Sequence, residues 1–252
     1  MNSNELSDVT ALPIQVVGMS FYFDPLTAAR AKELGLNVFQ FYGLGRGGVL
    51  GDVDLDVVNE AFTFFSPASI ARMWGAPVPK ADPAATAAAY LQAAYEFADR
   101  TFGAVGVDVL ANFARAAHKV VAAVAGGHHL LVDGYRQYEV SSDQVHAAYL
   151  GAILMRELRG CVHIDAVREV GLSPLEASYL QDPSVFKMHG YGDDDVPRVT
   201  PELEAKKAQA EVVTSAAMAE CFAVLDDDQR DQLAQGALAM FEALKSPVAV
   251  VG

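Results

Sequence analysis

The chain has 252 residues, of which 52% are hydrophobic and 20% charged, and its formal net charge at pH 7 is −14. This apolar content is enough for a core and argues against intrinsic disorder away from the chain ends. The excess of acidic residues disfavours general binding to nucleic acid or anionic membranes, because both require clustered Lys and Arg. The polar N-terminus lacks signal-peptide features, and no apolar run approaches the roughly 20 residues that span a bilayer. We therefore expect a cytoplasmic protein.

Ala- and Leu-rich segments with apolar residues three and four positions apart predict a mainly helical chain. The first clear helix begins after Asp24 and Pro25 and ends at Gly35, which are typical capping and stop residues. Further helices are predicted over 69–74, 83–102, 107–125, 142–159, 200–224 and 226–245. The expected fold class is an all-α multi-helix bundle.

The proline-rich connector GAPVPKADP is the best candidate for an internal boundary. It separates an N-terminal helical part, residues 1–76, from a helical bundle, residues 77–252. The two parts are expected to pack as one compact unit.

The segment NVFQFYGLGRGGVLGDV has a strand-like aromatic run followed by five glycines between Gly43 and Gly51. This pattern predicts a loop or a tightly packed crossing of two backbones. It formally contains GxGxxG, but nucleotide binding is disfavoured because the required helix and the acidic residue about 20 positions later are missing. Arg46 is interpreted as a lone cation in this loop that reaches solvent or, alternatively, holds a carboxylate or phosphate.

The acidic and histidine patterns do not give a metal motif. The stretch Asp52-x-Asp54-x-Asp56 lacks the glycine and the final glutamate of a calcium loop, and the six histidines show no HExxH spacing. Cys161 and Cys221 are expected to remain free thiols. We predict no metal site, and the sequence leaves any cofactor unknown.

The segment RELRGCVHIDAV, residues 156–167, places several ionisable groups in an otherwise apolar helical region. If the helix continues through Gly160, then Arg156, Arg159 and His163 form a stripe, with Glu157 on an adjoining face. Such a stripe binds an anion or, alternatively, forms structural ion pairs with neighbouring helices. Arg156 is expected to extend to solvent. Unless Glu157 or an acid from another helix compensates, the charge of Arg159 should keep His163 neutral near pH 7.

Two N-terminal segments, FYFDPLTAARAKELGLNVFQFYGLGRGGVLG and VVNEAFTFFSPASIARMW, resemble the SalK-like helical proteins of actinobacteria, a family of largely unassigned function. The family motif Glu-His-Arg-Gly-Asp-Gly-His is similar to the segment that carries Glu157, Arg159, Gly160 and His163. The family's acid is replaced by Cys161 here. The tail VTPELEAKKAQAEVVTSAAMAECFAVL is similar to the family's last helix.

This resemblance also implies a winged-helix segment, similar to that of MarR-type regulators, between the motif and the final helices. The stretch VREVGLSPLEASYLQ, residues 167–181, is the candidate helix-turn-helix. The following residues, 182–199, are few for a recognition helix and a wing, and they predict a loop or a very short hairpin. They include three consecutive acids, which would repel phosphates. The segment is therefore interpreted as degenerate.

The first functional hypothesis is a protein that binds, and in its stronger form transforms, a small polar or anionic metabolite. The pocket would lie between the glycine-rich segment and the helix that carries the 156–167 motif. Arg46 and Arg159 would hold the anion, and Tyr42 would line the pocket. His163 would be the catalytic proton-transfer residue, oriented or neutralised by Glu157.

Two alternatives stay open at this level: a transcriptional regulator descended from a winged-helix dimer, and a non-catalytic interaction subunit. The sequence does not decide whether the protein is an enzyme. The expected partners are a small-molecule ligand and a second copy of the chain, because QLAQGALAMFEALKSPVAVV has more apolar face than one bundle requires. Nucleic acid and membrane are disfavoured as partners.

Overall fold

The computed structural model describes residues 1–75 and 81–245. Over these residues the chain forms thirteen α-helices and no β-strand, which confirms the predicted all-α multi-helix fold. The helices are α1 (Ser3–Met19), α2 (Pro25–Glu33), α3 (Val38–Gly47), α4 (Leu55–Ala61), α5 (Pro67–Trp74), α6 (Pro83–Phe102), α7 (Val107–Ala123), α8 (Leu130–Tyr135), α9 (Gln144–Glu169), α10 (Pro174–Gln181), α11 (Pro183–Met188), α12 (Pro201–Cys221) and α13 (Asp227–Ala243). None of the helices described here has the length and apolarity that crossing a membrane requires.

The helix boundaries follow from local capping chemistry. The side chains of Asp24, Asp143 and Thr200 accept hydrogen bonds from first-turn N–H groups of α2, α9 and α12. Gly35 has φ 72°, a left-handed conformation that ends α2 as predicted. The early helix α1 was not predicted, although Asn2 and Glu5 form a capping box at its start.

Helix α9 is the centre of the bundle and packs against α1, α6, α7, α8 and α12. Its residues 147–155 are all buried, so this stretch is apolar on every face rather than amphipathic. One hydrophobic core contains Leu6, Tyr90, Leu150 and Met240, which come from both sides of the predicted internal boundary. The boundary at residues 76–77 lies at the edge of the segment outside the described residues, and the division into two parts stays a prediction.

The glycine-rich segment is a helix, and the expectation of a strand-like run and a loop was wrong. The structure instead contains the alternative that the sequence left open, a tightly packed crossing, in which α5 and α6 lie against α3. A Cβ on Gly43 would lie 2.5 Å from Met73 Cβ, and one on Gly45 would lie 2.5 Å from Tyr90 Cγ. The glycines thus let α5 and α6 pack directly on the α3 backbone, which outweighs their low helix propensity.

The candidate helix-turn-helix consists of the end of α9, a turn at Gly171, and the short helices α10 and α11. Residues 182–199, predicted as loop or hairpin, contain α11 and a 3-10 turn at Asp193–Asp195, and no wing strand occurs among these described residues. A small cluster of Val167, Leu172 and Ala210, separate from the main core, supports this part of the chain.

Candidate functional site

A cavity of about 410 Å³ lies between the end of α1, α3, the second half of α9, α12 and the α10–α11 segment. All five residues predicted from the sequence as site residues line it: Tyr42, Arg46, Glu157, Arg159 and His163. Its apolar walls include Met19, Tyr22, Phe23, Phe39, Phe62 and Phe65. The volume falls within the range of about 300–1,000 Å³ that is typical of small-molecule sites.

Arg46, Glu157 and Arg156 form a buried ion cluster at one wall of this cavity. Arg46 Nε and Nη2 donate to Glu157 Oε1 and Oε2 at 2.8 and 2.7 Å, and Arg46 Nη1 donates to the Tyr42 hydroxyl at 2.8 Å. Arg156 Nη1 donates to Glu157 Oε1 at 2.8 Å. The interpretation of Arg46 as a loop cation that reaches solvent was wrong, because α3 directs its side chain against α9.

The cluster keeps Glu157 ionised. Burial alone would raise the pKa of Glu157, but the charges and hydrogen bonds of Arg46 and Arg156 lower it to about 2. The cluster therefore carries one excess positive charge. Among the cavity-lining residues, the basic side chains of Arg46, Arg156, Arg159 and Lys207 face only two carboxylates, those of Glu157 and Glu211. The cavity is thus cationic in a protein whose formal net charge is −14.

Arg156 is buried against this cavity, contrary to the expectation that it extends to solvent. Its guanidinium lies over the Tyr22 ring, 5.5 Å from the centroid, and its Nε has no hydrogen-bond partner among the described residues. A Cβ on Gly18 of α1 would lie 2.6 Å from Arg156 Cβ, so α1 closes the route to solvent. The sequence pattern placed Arg156 on the stripe, but the crossing with α1 could not be seen from it.

His163 and Arg159 lie on the part of the cavity wall formed by α9 and α12. Thr214 Oγ1 donates its proton to the Ala210 carbonyl at 2.7 Å, so it accepts a hydrogen bond from His163 Nδ1 at 2.9 Å. This arrangement assigns the proton to Nδ1 and leaves Nε2 as the acceptor nitrogen. Burial lowers the pKa of His163. The charge of Glu211 raises this pKa, and the charge of Arg159 lowers it further.

The carboxylate near His163 is that of Glu211, not the predicted Glu157. Glu211 Oε1 lies 3.9 Å from His163 Nε2, and Glu211 Oε2 accepts a hydrogen bond from Arg159 Nη2 at 2.9 Å. Both oxygens of Glu157 are engaged by the two buried arginines. The sequence could not identify Glu211, since its proximity depends on how α12 packs against α9.

The helix-turn-helix segment contributes a wall of the same cavity. Ala177, Gln181, Val185, Met188 and His189 line it from α10, α11 and the residue that follows. His189 Nδ1 lies 2.7 Å from Ser178 Oγ, and its ring lies 4.3 Å from that of Phe65. Burial, followed by the charges of Arg46 and Arg156, lowers the pKa of His189 to about 4. This connection between segment and cavity was not predicted.

Cys161 also lines the cavity, where burial raises the pKa of its thiol to about 12. A thiolate at neutral pH is therefore disfavoured, and the thiol is suited to packing rather than nucleophilic attack. Side-chain groups with the composition of a metal site lie elsewhere in the described part of the chain.

Comparisons with known proteins give a family but no individual relative. No curated protein matches the chain, and no solved structure matches it. The sequence signature of a helix-turn-helix family matches residues 10–249, which is nearly the whole chain. This family assignment agrees with the all-helical fold and is compatible with a regulatory function. The protein therefore belongs to this helix-turn-helix family.

Proposed function

We propose that this protein binds a small molecule with an apolar body and a carboxylate group in the cavity described above. The observation that carries the proposal is Arg156, a largely buried cation that lines an aromatic cavity and donates only its Nη1 to a partner among the described residues. A buried, unpaired polar group is costly, and a ligand anion would remove that cost.

The three arginines in the cavity are suited to different tasks. Arg46 uses Nε, Nη1 and Nη2 in bonds to Glu157 and Tyr42. Arg159 pairs with the half-exposed carboxylate of Glu211. Among the described residues, Arg156 bonds Glu157 through Nη1, and its Nε is closed off from the cavity, so Nη2 is the group left to donate a charge-assisted hydrogen bond to a ligand carboxylate. Arg156 is therefore the proposed anchor, and Arg46 and Tyr42 hold Glu157 in place.

The aromatic walls indicate an apolar ligand body. Phe23 and Phe39 line the cavity and are 51% and 48% exposed, so they offer apolar surface to a ligand body. A ligand seated at the Arg156 edge would cover them. The proposal thus refines the anionic metabolite expected from the sequence to a carboxylate with an aromatic or aliphatic body.

A catalytic version of this proposal assigns proton transfer to His163. The acceptor nitrogen Nε2 and the lowered pKa suit a general base near neutral pH. Glu211, rather than Glu157, is the carboxylate placed to stabilise a protonated His163. Assignment to the SalK-like actinobacterial proteins belongs to the same proposal and is supported by the sequence motifs. A cytoplasmic location is proposed with it.

The binding test uses isothermal titration calorimetry with indole-3-acetate and 4-phenylbutyrate against their neutral amides. The acids should bind at least about tenfold more tightly, because a hydrogen bond to a charged group contributes about 1.5–3 kcal/mol. Arg156→Met should lose this preference, whereas Arg159→Met should retain most of it. Equal binding of acids and amides, or an Arg156→Met variant that still prefers acids, would contradict the proposal. His163→Ala should leave binding intact and abolish any turnover.

A second candidate function is a ligand-responsive DNA-binding regulator. The family match favours it, as does the wall that α10 and α11 contribute to the cavity, because a ligand there would contact the helix-turn-helix segment directly. The acidic turn Asp193–Asp195 opposes phosphate contacts. Specific retardation of the gene's own promoter fragment at near-physiological salt, changed by a bound carboxylate, would establish this function in place of simple binding.

A homodimer through the C-terminal helices is a further part of the proposal. The buried face of α13, with Leu233 and Met240, packs against α1 and α7 of the same chain. Residues 246–252, part of the segment on which the dimer was predicted, lie outside the described residues. Light scattering at micromolar concentration should give twice the chain mass if the dimer forms, and a monomer mass would contradict it.

A further inference from the structure

A second group of ionisable side chains lies away from the carboxylate cavity, where the α7–α8 connection meets α9. His128 and His129 precede α8, and Asp165 lies on α9. One ligand atom from each of the three residues lies within 4.8 Å of the others. The sequence analysis did not identify this group, because its histidines are adjacent and its carboxylate is 36 residues further along the chain.

The distances in this group match those of a metal site. His128 Nε2 and His129 Nε2 lie 3.1 and 3.4 Å from the same oxygen, Asp165 Oδ2. Two ligands bound about 2.1 Å from a tetrahedral ion are about 3.4 Å apart. Small side-chain adjustments would therefore place all three ligand atoms around one ion. Arg168 lies 3.9 Å from the other oxygen, Asp165 Oδ1, so it leaves Oδ2 for the ion.

The electrostatic surroundings favour a cation. His129 and Asp165 line an open pocket of about 430 Å³ to which Glu169 and Glu220 add two more carboxylates, with no Lys or Arg among its described lining residues. This is the reverse of the carboxylate cavity, whose lining has excess positive charge. His129 is largely buried, with its side chain 12% exposed, so one imidazole is held in position at the pocket wall.

We propose that His128, His129 and Asp165 bind a divalent transition-metal ion of the zinc class. Two imidazoles and one carboxylate are a donor set that zinc accepts, and three protein ligands leave a coordination position for water or a small ligand. The open position would face the acidic pocket. This site is independent of the proposed carboxylate binding, which uses different side chains on another face of α9.

A similar group elsewhere provides an internal control. Asp99, Asp143 and His146 also lie within reach of one another, but they offer only one imidazole. The His146 ring stacks on Tyr95 at 4.4 Å with an interplanar angle of 7°, and the Asp143 carboxylate caps the start of α9. These groups have structural roles, so we assign no metal to them.

The test is calorimetric titration of the tag-free, chelator-treated full chain with ZnCl₂ at pH 7.5. One equivalent of zinc should bind, and His128→Ala and Asp165→Asn should each weaken binding at least about tenfold. His128 is 70% exposed, so its substitution should leave the fold intact, as circular dichroism would verify. Zinc should also raise the Tm of the wild type but not that of His128→Ala. Wild-type zinc affinity in His128→Ala, or loss of binding in His146→Ala, would overturn the proposal.

Discussion

Replacing Glu157 by Gln should strongly destabilise the protein, since it removes the negative charge that pairs with both Arg46 and Arg156. The Glu157 side chain is 1% exposed, and it accepts three hydrogen bonds from the two arginines. The fall in its pKa from 4.5 to about 2 corresponds to roughly 3 kcal/mol, at about 1.36 kcal/mol per pKa unit. Breaking a buried ion pair typically costs about 3–5 kcal/mol. We therefore expect a loss of about 3 kcal/mol.

Thermal and urea unfolding of Glu157→Gln, followed by circular dichroism, measure this loss. For a protein of this size, about 3 kcal/mol lowers the Tm by roughly 6–12 °C. The control is Glu211→Gln, because its half-exposed pair with Arg159 should contribute no more than about 1 kcal/mol. A Glu157→Gln variant within about 1 kcal/mol of the wild type would refute the view that the cluster is desolvated.

The stabilisation by Glu157 should depend on pH. The folded-state pKa of Glu157 is lowered, so ionised Glu157 stabilises the fold above its ordinary pKa of 4.5. That stabilisation is lost as the pH falls from 4.5 towards 2. The difference in the free energy of unfolding between the wild type and Glu157→Gln should therefore be constant between about pH 5 and pH 8. It should become smaller below pH 4.5. A difference that instead narrowed between pH 8 and 6 would point to another group.

Two further predictions concern packing and protonation. Gly45→Ala should lower the free energy of unfolding in urea by about 1–3 kcal/mol, because the added Cβ would overlap Tyr90. Gly160→Ala is the control: its Cβ would have no atom within 4 Å, so the change should be neutral or stabilising by up to about 1 kcal/mol. Equal effects of the two substitutions would contradict the assigned crossing. The folded pKa of His189 is lowered to about 4 from 6.5, so the unfolded chain binds its proton first and stability should fall as the pH drops from 6.5 to 4. Urea unfolding measures the fall in the free energy of unfolding between pH 7.5 and pH 4.5. This fall should be smaller in His189→Asn than in the wild type by up to roughly 3 kcal/mol. Identical pH profiles for the two proteins would contradict this assignment.

Helix positions were predictable where local chemistry decides them. The ends of α6 are as predicted, the starts of α7, α12 and α13 agree to within a residue, and Gly35 ends α2 as expected. Caps and stop residues act over a few positions, so a reading of the sequence detects them. The α3 segment was misassigned because its glycines serve contacts with Met73 and Tyr90, which are distant in the sequence.

The composition of the candidate site was likewise readable, but its pairings were not. The alternation of charge and apolar residues over 156–167 was enough to identify Arg159, His163 and Glu157 as residues of interest, and all three line one cavity. Which carboxylate neutralises which cation depends on where other helices cross α9.

By itself, the sequence determined that the chain is helical and where many of its helices begin, and it identified the ionisable groups of 156–167 in an otherwise apolar helix. Only the tertiary structure decided that Arg46 pairs with Glu157 across 111 residues, that α1 packs closely on Arg156 at Gly18, and that Asp165 meets His128. The physical reason is the distance along the chain over which each interaction acts. Capping and periodicity are local properties of the chain, whereas burial and ion pairing depend on contacts that exist only once the helices have packed.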